Sequence, residues 1–120
     1  MAVAAMPDNQ RILSSSEDCT VRVWLLDGTP KNTFRLHTDN YVSALVALPD
    51  NQHALSGSQD ETINLFNVND GAVLRIFRHH AGAAIVYPVT SLALLPGGRR
   101  FVSGAQDRTA CIVEHGLAPQ

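Results

Sequence analysis

Cysteine is scarce in this chain of 120 residues: the two present, Cys19 and Cys111, stand far apart and form no CxxC pair. That excludes a zinc or disulfide framework legible from spacing and leaves two free or buried thiols in different parts of the fold. Charge is low as well, with 17% charged residues, a net charge of −2 and no basic feature denser than Arg99-Arg100. Neither nucleic acid nor an anionic membrane is therefore an expected partner, and the two arginines read as a solvated hairpin edge. No apolar run approaches the ~20 residues of a membrane span. The opening Met1-Ala2-Val3-Ala4-Ala5-Met6 is too short and uncharged for a secretory leader, so the expected location is intracellular, in the cytoplasm. Glycine-rich phosphate loops, HExxH and paired catalytic carboxylates are all missing, and no cofactor or metal is implied. His53, His79 and His115 have no partner at metal-ligand spacing and are expected in solvent.

What the chain does have is 45% hydrophobic residues, enough for one modest core, and repetition. Ser56-Gly57-Ser58-Gln59-Asp60-Glu61-Thr62-Ile63-Asn64-Leu65-Phe66 recurs upstream as Ser14-Ser15-Ser16-Glu17-Asp18-Cys19-Thr20-Val21-Arg22-Val23-Trp24. It recurs downstream as Ser103-Gly104-Ala105-Gln106-Asp107-Arg108-Thr109-Ala110-Cys111-Ile112-Val113. The spacing is 42 residues from Asp18 to Asp60 and 47 from Asp60 to Asp107, and Pro7, Pro49 and Pro96 keep the same intervals. A period of that size indicates a repeat architecture.

Within each copy a β-rich run ends in small residues, an Asp turn follows, and a Thr opens a second alternating run. In that run Val21/Val23, Ile63/Leu65 and Ala110/Ile112 share one face, while Trp24, Phe66 and Val113 fall on the other. Apolar residues on both faces require a neighbour on each side. Pro7-Asp8-Asn9, Pro49-Asp50-Asn51 and Pro96-Gly97-Gly98 are turn sequences that close hairpins into second strands at Arg11 to Ser14, His53 to Ser56 and Arg100 to Ser103. Asp27-Gly28 and Asn69-Asp70-Gly71 are hairpin signals leading to outer strands at about Asn32 to Leu36 and Ala72 to Phe77, with Phe34 and Phe77 in matching places. The next inner strands start at Val42 and Val89. The longer second connection makes Ala81-Gly82-Ala83-Ala84-Ile85-Val86-Tyr87 an apolar insertion, read as folding onto its own blade in preference to marking a partner contact.

These three copies resemble the WD40 repeat family over Met1 to about His115. The signature is degenerate: Trp-Asp reads Trp24-Leu25, Phe66-Asn67 and Val113-Glu114, and Gly-His reads Leu36-His37 and His79-His80. The resemblance implies an all-β fold of propeller blades, each a four-stranded antiparallel sheet. The expected division is 1–40, 41–82 and 83–120, beginning inside an inner strand and lacking the last outer strand. Eleven strands would make fewer than three full blades, an incomplete ring where closed propellers have at least four. The chain is accordingly expected to be the C-terminal portion of a larger propeller, an incomplete translation of one, or a piece completed by partner chains.

His37, Ser56 and Asp60 have the residue types of a hydrolase triad, and His80, Ser103 and Asp107 repeat them. Neither Ser stands in a nucleophile motif beside an oxyanion site, so an enzyme is not expected. The family resemblance implies a structural hydrogen-bond chain instead: aromatic, second-strand Ser, His and turn Asp. It comprises Phe66, Ser56, His37 and Asp60 in the second blade, Trp24, Ser14 and Asp18 in the first, and Ser103, His80 and Asp107 in the third. The third is expected to be weakest, because Val113 replaces the aromatic. The resemblance also implies a scaffold for protein or peptide partners, contacted through Glu17, Gln59 and Gln106 and through Tyr41, Ser43, Tyr87, Pro88 and Thr90. The alternative is an architectural piece of a large assembly, ciliary, ribosomal or other, held by neighbouring chains. Replacing Asp60 by Ala is predicted to strand His37 and lower the melting temperature strongly; an unchanged value would remove the network assignment.

Overall fold

The computed structural model describes residues 2–15, 19–35, 42–59, 62–78, 89–105, 109–114 and 116. Among the described residues there is no helix, and so none long and apolar enough to cross a membrane. Eleven strands form three sheets. The first holds β1 (Val3–Ala5), β2 (Arg11–Ser15), β3 (Thr20–Leu25) and β4 (Pro30–Arg35). The second holds β5 (Val42–Ala47), β6 (His53–Ser58), β7 (Thr62–Asn67) and β8 (Val73–Arg78). The third holds β9 (Val89–Leu94), β10 (Arg100–Ala105) and β11 (Ala110–Glu114). In each sheet the strands follow chain order and every neighbouring pair is antiparallel.

The turns obey their sequences. Asn9 (φ 56°), Asn51 (φ 63°) and Gly98 (φ 71°) occupy one position in the three proline turns, each with positive φ. Their amides donate back to Met6, Leu48 and Leu95, closing each turn at 3.1, 3.3 and 3.0 Å. Asn and Gly are the residues that tolerate this backbone most readily. The third strands are each followed within four residues by a left-handed glycine, Gly28, Gly71 and Gly116. β2, β6 and β10 run further than the sequence suggests, through Ser15, Ser58 and Ala105. Small residues permit this extension, because the next sheet passes close by: a Cβ on Gly57 would lie 2.7 Å from Val89 Cγ1.

The sheets stack face to face through two apolar clusters. In the first, Leu13, Val21 and Val23 of the first sheet meet Val42, Leu45, Ala54 and Phe66 of the second. In the second cluster Leu55, Ile63 and Leu65, from the opposite face of the second sheet, meet Val89 and Phe101 of the third. Each junction contains one edge-on aromatic pair: Phe34 with Phe66 at 6.5 Å and Phe77 with Phe101 at 5.4 Å between centroids. Phe34 and Phe77 do occupy matching outer-strand positions. Phe66 and Phe101 do not. Phe66 pairs with Ala54 across its sheet, and Phe101 pairs with Val113. The aromatic thus changes strand, its partner being Ala54 in one sheet and Val113 in the other, and each junction holds a Phe at this cross-strand position. Gly71 completes the first junction, since a Cβ there would fall 2.3 Å from Phe34 Cδ1.

At the proline-turn end the first two sheets are also bolted by polar groups. Arg11 is only 8% exposed. Its Nε donates to Asp8 Oδ2 at 3.0 Å, Nη1 to Asn69 Oδ1 at 3.1 Å and Nη2 to the Asn51 carbonyl at 2.8 Å. Asn51 returns its Nδ2 to Asp8 Oδ2 at 3.3 Å and accepts the Asp8 amide at 3.1 Å. A buried guanidinium is tolerable here because its donors meet a carboxylate and two carbonyl oxygens. The corresponding residue of the second sheet, His53, was expected in solvent. It is half-buried instead, with Nδ1 2.5 Å from Asp50 Oδ2. At the third sheet Gly97 and Gly98 replace the Asp and Asn, and Pro49 moves in against Gly98.

The Gln10 amide lowers the pKa of Asp8; burial opposes this, and Arg11 and Asn51 lower it further. Burial raises that of Asp50, but the Gln52 and His53 amides and the His53 ring outweigh it, and the net shift is downward. Both carboxyls therefore bind protons less readily folded than unfolded.

Truncating Phe66, fully buried at the first junction, to Ala should cost about 3–5 kcal/mol in denaturant unfolding. Val73→Ala, on the exposed outer strand, should cost about 0.5 kcal/mol or less. The stabilisation from Asp8 and Asp50 is fully present above their ordinary value of 3.8 and is lost as the pH falls through the lower folded values. The melting temperature should accordingly drop on acidification below that value, with a shallower acid limb in Asp50→Asn than in the unmodified chain.

Candidate interaction surface

Two ends of the stacked sheets differ in what they leave available. The proline-turn end is cross-linked by the Arg11 network. At the opposite end lie Ser15, Val42, Ser58, Val89 and Ala105, where β2, β6 and β10 finish and β5 and β9 begin. Strand register sets this arrangement, with Val42 opposite Ser58 and Val89 opposite Ala105.

Three of the sequence-predicted contact residues are described at this end. Gln59 follows β6 and is exposed. Thr90, in β9, is exposed, and its Oγ1 donates to the Gly104 carbonyl of its own sheet at 3.2 Å. Ser43, in β5, is half-buried, and its hydroxyl lies against the Val89 carbonyl of the third sheet and 3.3 Å from that of Gly57. Ser43 therefore ties two sheets together, leaving Gln59 and Thr90 as the outward-facing members. Glu17, Tyr41, Tyr87, Pro88 and Gln106 lie outside the described residues. The segments that contain them are flanked by Ser15 and Cys19, Val42, Val89, and Ala105 and Thr109, all described.

Of the hydrogen-bond chain, the aromatic–serine step is visible in the first sheet, where Trp24 Nε1 donates to Ser14 Oγ at 2.8 Å. In the second and third sheets Ser56 and Ser103 are fully buried, as is Phe66. Phe66 is packed against Phe34 and has no donor to offer the serine. His37, Asp60, Asp18, His80 and Asp107 lie outside the described residues, as does the Ala81 to Tyr87 insertion.

Neither Cys19, in the first sheet's β2–β3 connection, nor Cys111, in β11, is in a disulfide, and both are half-buried. Among the described residues no group of three His, Cys, Asp or Glu side chains is placed to hold a metal. Arg99 and Glu114 stand 3.6 Å apart, both more than half exposed, a solvated pair at the proline-turn end. Sequence reasoning missed Arg11 and the Asp50–His53 pair. Both had a local signal, an Asp three residues earlier across the proline turn, Asp8 before Arg11 and Asp50 before His53; the inter-sheet contacts of Arg11 had none, because Asn51 and Asn69 are 40 and 58 residues away.

Comparison with curated proteins returns no significant match. The profile of the family described as WD domain, G-beta repeat matches three segments, residues 1–24, 28–67 and 71–114. The matched segments are offset from the sheets by one strand: 28–67 contains β4 to β7, and 71–114 contains β8 to β11. With the three matches covering most of its length and all eleven described strands falling into antiparallel sheets of four, four and three, the chain belongs to the WD40 repeat family.

Proposed function

We propose that the chain is a non-enzymatic interaction scaffold that presents the end of the sheets bearing Gln59 and Thr90 to a protein or peptide partner. The observation that carries this reading is the division of labour between the two ends. One is occupied by the inter-sheet polar network, whereas the other presents the exposed side chains of Gln59 and Thr90 at strand ends. Tyr41 and Tyr87 belong to the same surface in this reading. A Tyr at such a place supplies a large contact area at low entropy cost.

The burial of Ser56 and Ser103 supports the non-enzymatic part of the proposal. A serine nucleophile must meet its substrate, and a side chain enclosed between two sheets has no approach to one. The WD40 family as a whole supports the interaction role, since its repeats are generally platforms for other proteins.

The test is selection of a displayed random-peptide library on the folded chain, followed by calorimetric titration of an enriched peptide. Tyr41→Ala and the double change Gln59→Ala with Thr90→Ala should each weaken binding about tenfold at unchanged melting temperature. Gln10→Ala, exposed at the proline-turn end, should leave it unchanged. No enrichment, or binding sensitive to Gln10 and indifferent to the other three, would overturn the assignment.

A further inference from the structure

The two internal junctions use the same pair of faces. The face of β1 to β3 that carries Ala4, Leu13, Val21 and Val23 seats on Leu45, Ala47, Ala54 and Phe66 of the second sheet. One sheet later, Val46, Leu55, Ile63 and Leu65 seat on Leu92, Leu94, Phe101 and Val113. Strand register carries this correspondence to both ends of the stack. On the outer face of the third sheet the matching positions are Ala93, Val102, Ala110 and Ile112, where Ala93 pairs with Val102 and Val102 with Ile112. On the outer face of the first sheet they are Val3, Ala5, Ile12 and Trp24, with Ala5 opposite Ile12 and Ile12 opposite Trp24.

All eight are apolar, although among the described residues no sheet covers either face. Val3 is 72% exposed and Ile112 62% exposed. The polar handle of Trp24 is already satisfied inside its own sheet, by Ser14 at 2.8 Å, so the ring can be covered without stranding a donor. One end of the stack thus carries the donor face of the internal junction and the other end carries its acceptor face. Contiguous exposed apolar sheet faces of this kind mark association surfaces.

We infer that the occupant is a second copy of this chain, docked head to tail so that the Val102 and Ile112 face of one copy seats on the Val3 and Trp24 face of the other. The contact continues the interface already made twice within each chain. It is heterologous, and heterologous contacts either close into a ring or run on as a filament. Two copies supply six sheets, within the range of about four to eight blades at which propellers close, whereas three copies would exceed it. The expected species is therefore a two-chain ring with two equivalent junctions.

Analytical ultracentrifugation of the purified chain tests this. The expected result is a discrete species of twice the chain mass that persists as loading concentration rises. Ile112→Asp and Val3→Asp, placed on exposed positions and checked for folding by circular dichroism, should each give a monomer. An equimolar mixture of the two variants should regain a weaker dimer, because it retains one intact junction; an isologous dimer through either face alone would not do so. A monomer at every concentration of the unmodified chain, a mass that climbs without limit, or a dimer insensitive to both substitutions would overturn the inference.

Discussion

Apolar side chains on both faces of one sheet impose the constraint from which the rest of this structure follows. Such a sheet cannot stand alone in water; it must be covered twice. Among the described residues only the second sheet meets that condition, and its β6 and β7 are buried almost throughout. The outer sheets are covered once each, and their exposure alternates along the strands in consequence, clearest in β2 and β10. Edge-to-edge hydrogen bonding builds each sheet, but stacking of the faces gives the molecule its order.

Stacking requires matched volumes, and the chain meets that requirement by exchange between neighbouring strands. At one cross-strand position the three sheets hold Ile12 with Trp24, Ala54 with Phe66, and Phe101 with Val113. The two pairs that face a junction, Ala54 with Phe66 and Phe101 with Val113, each place one Phe in it from opposite strands, a rearrangement of the kind that cores tolerate. Glycines mark where stacking brings backbone against the neighbouring sheet. Gly57 leaves room for Val89, and Gly71 for Phe34. Where space is set by such contacts, polar groups can be added at the edge, as Arg11 is, or dispensed with, as Gly97 and Gly98 do at the next junction.

Much of the fold was legible in the sequence because its determinants are local. Period-two alternation, the Pro-Asp-Asn turns and the Asp-Gly hairpins fix strands within a few residues of themselves, and the starts of β5 at Val42 and β9 at Val89 coincide with the expected positions. That Phe101 stands in for Phe66 was not legible, because the equivalence runs through a strand pair and is invisible in linear alignment. The role of Arg11 between sheets was overlooked because Asn51 and Asn69, which it reaches there, belong to another repeat. Ser43 looked like a surface residue, yet its hydroxyl serves the joint between β5 and β9. Of the candidate site, spacing located the end of the sheets concerned, while deciding which side chains point outward required the stacking itself.

The one-strand offset between the matched repeats and the sheets affects how such a chain can change length. A unit such as 28–67 gives its first strand to one sheet and its other three to the next. Excising that unit would bring the turn after β3 directly to β8, and the leading sheet would still own four strands. Duplicating it would insert a whole blade by the same logic. Gene rearrangements in multiples of this unit can therefore alter the circumference of an array without producing a half-built layer.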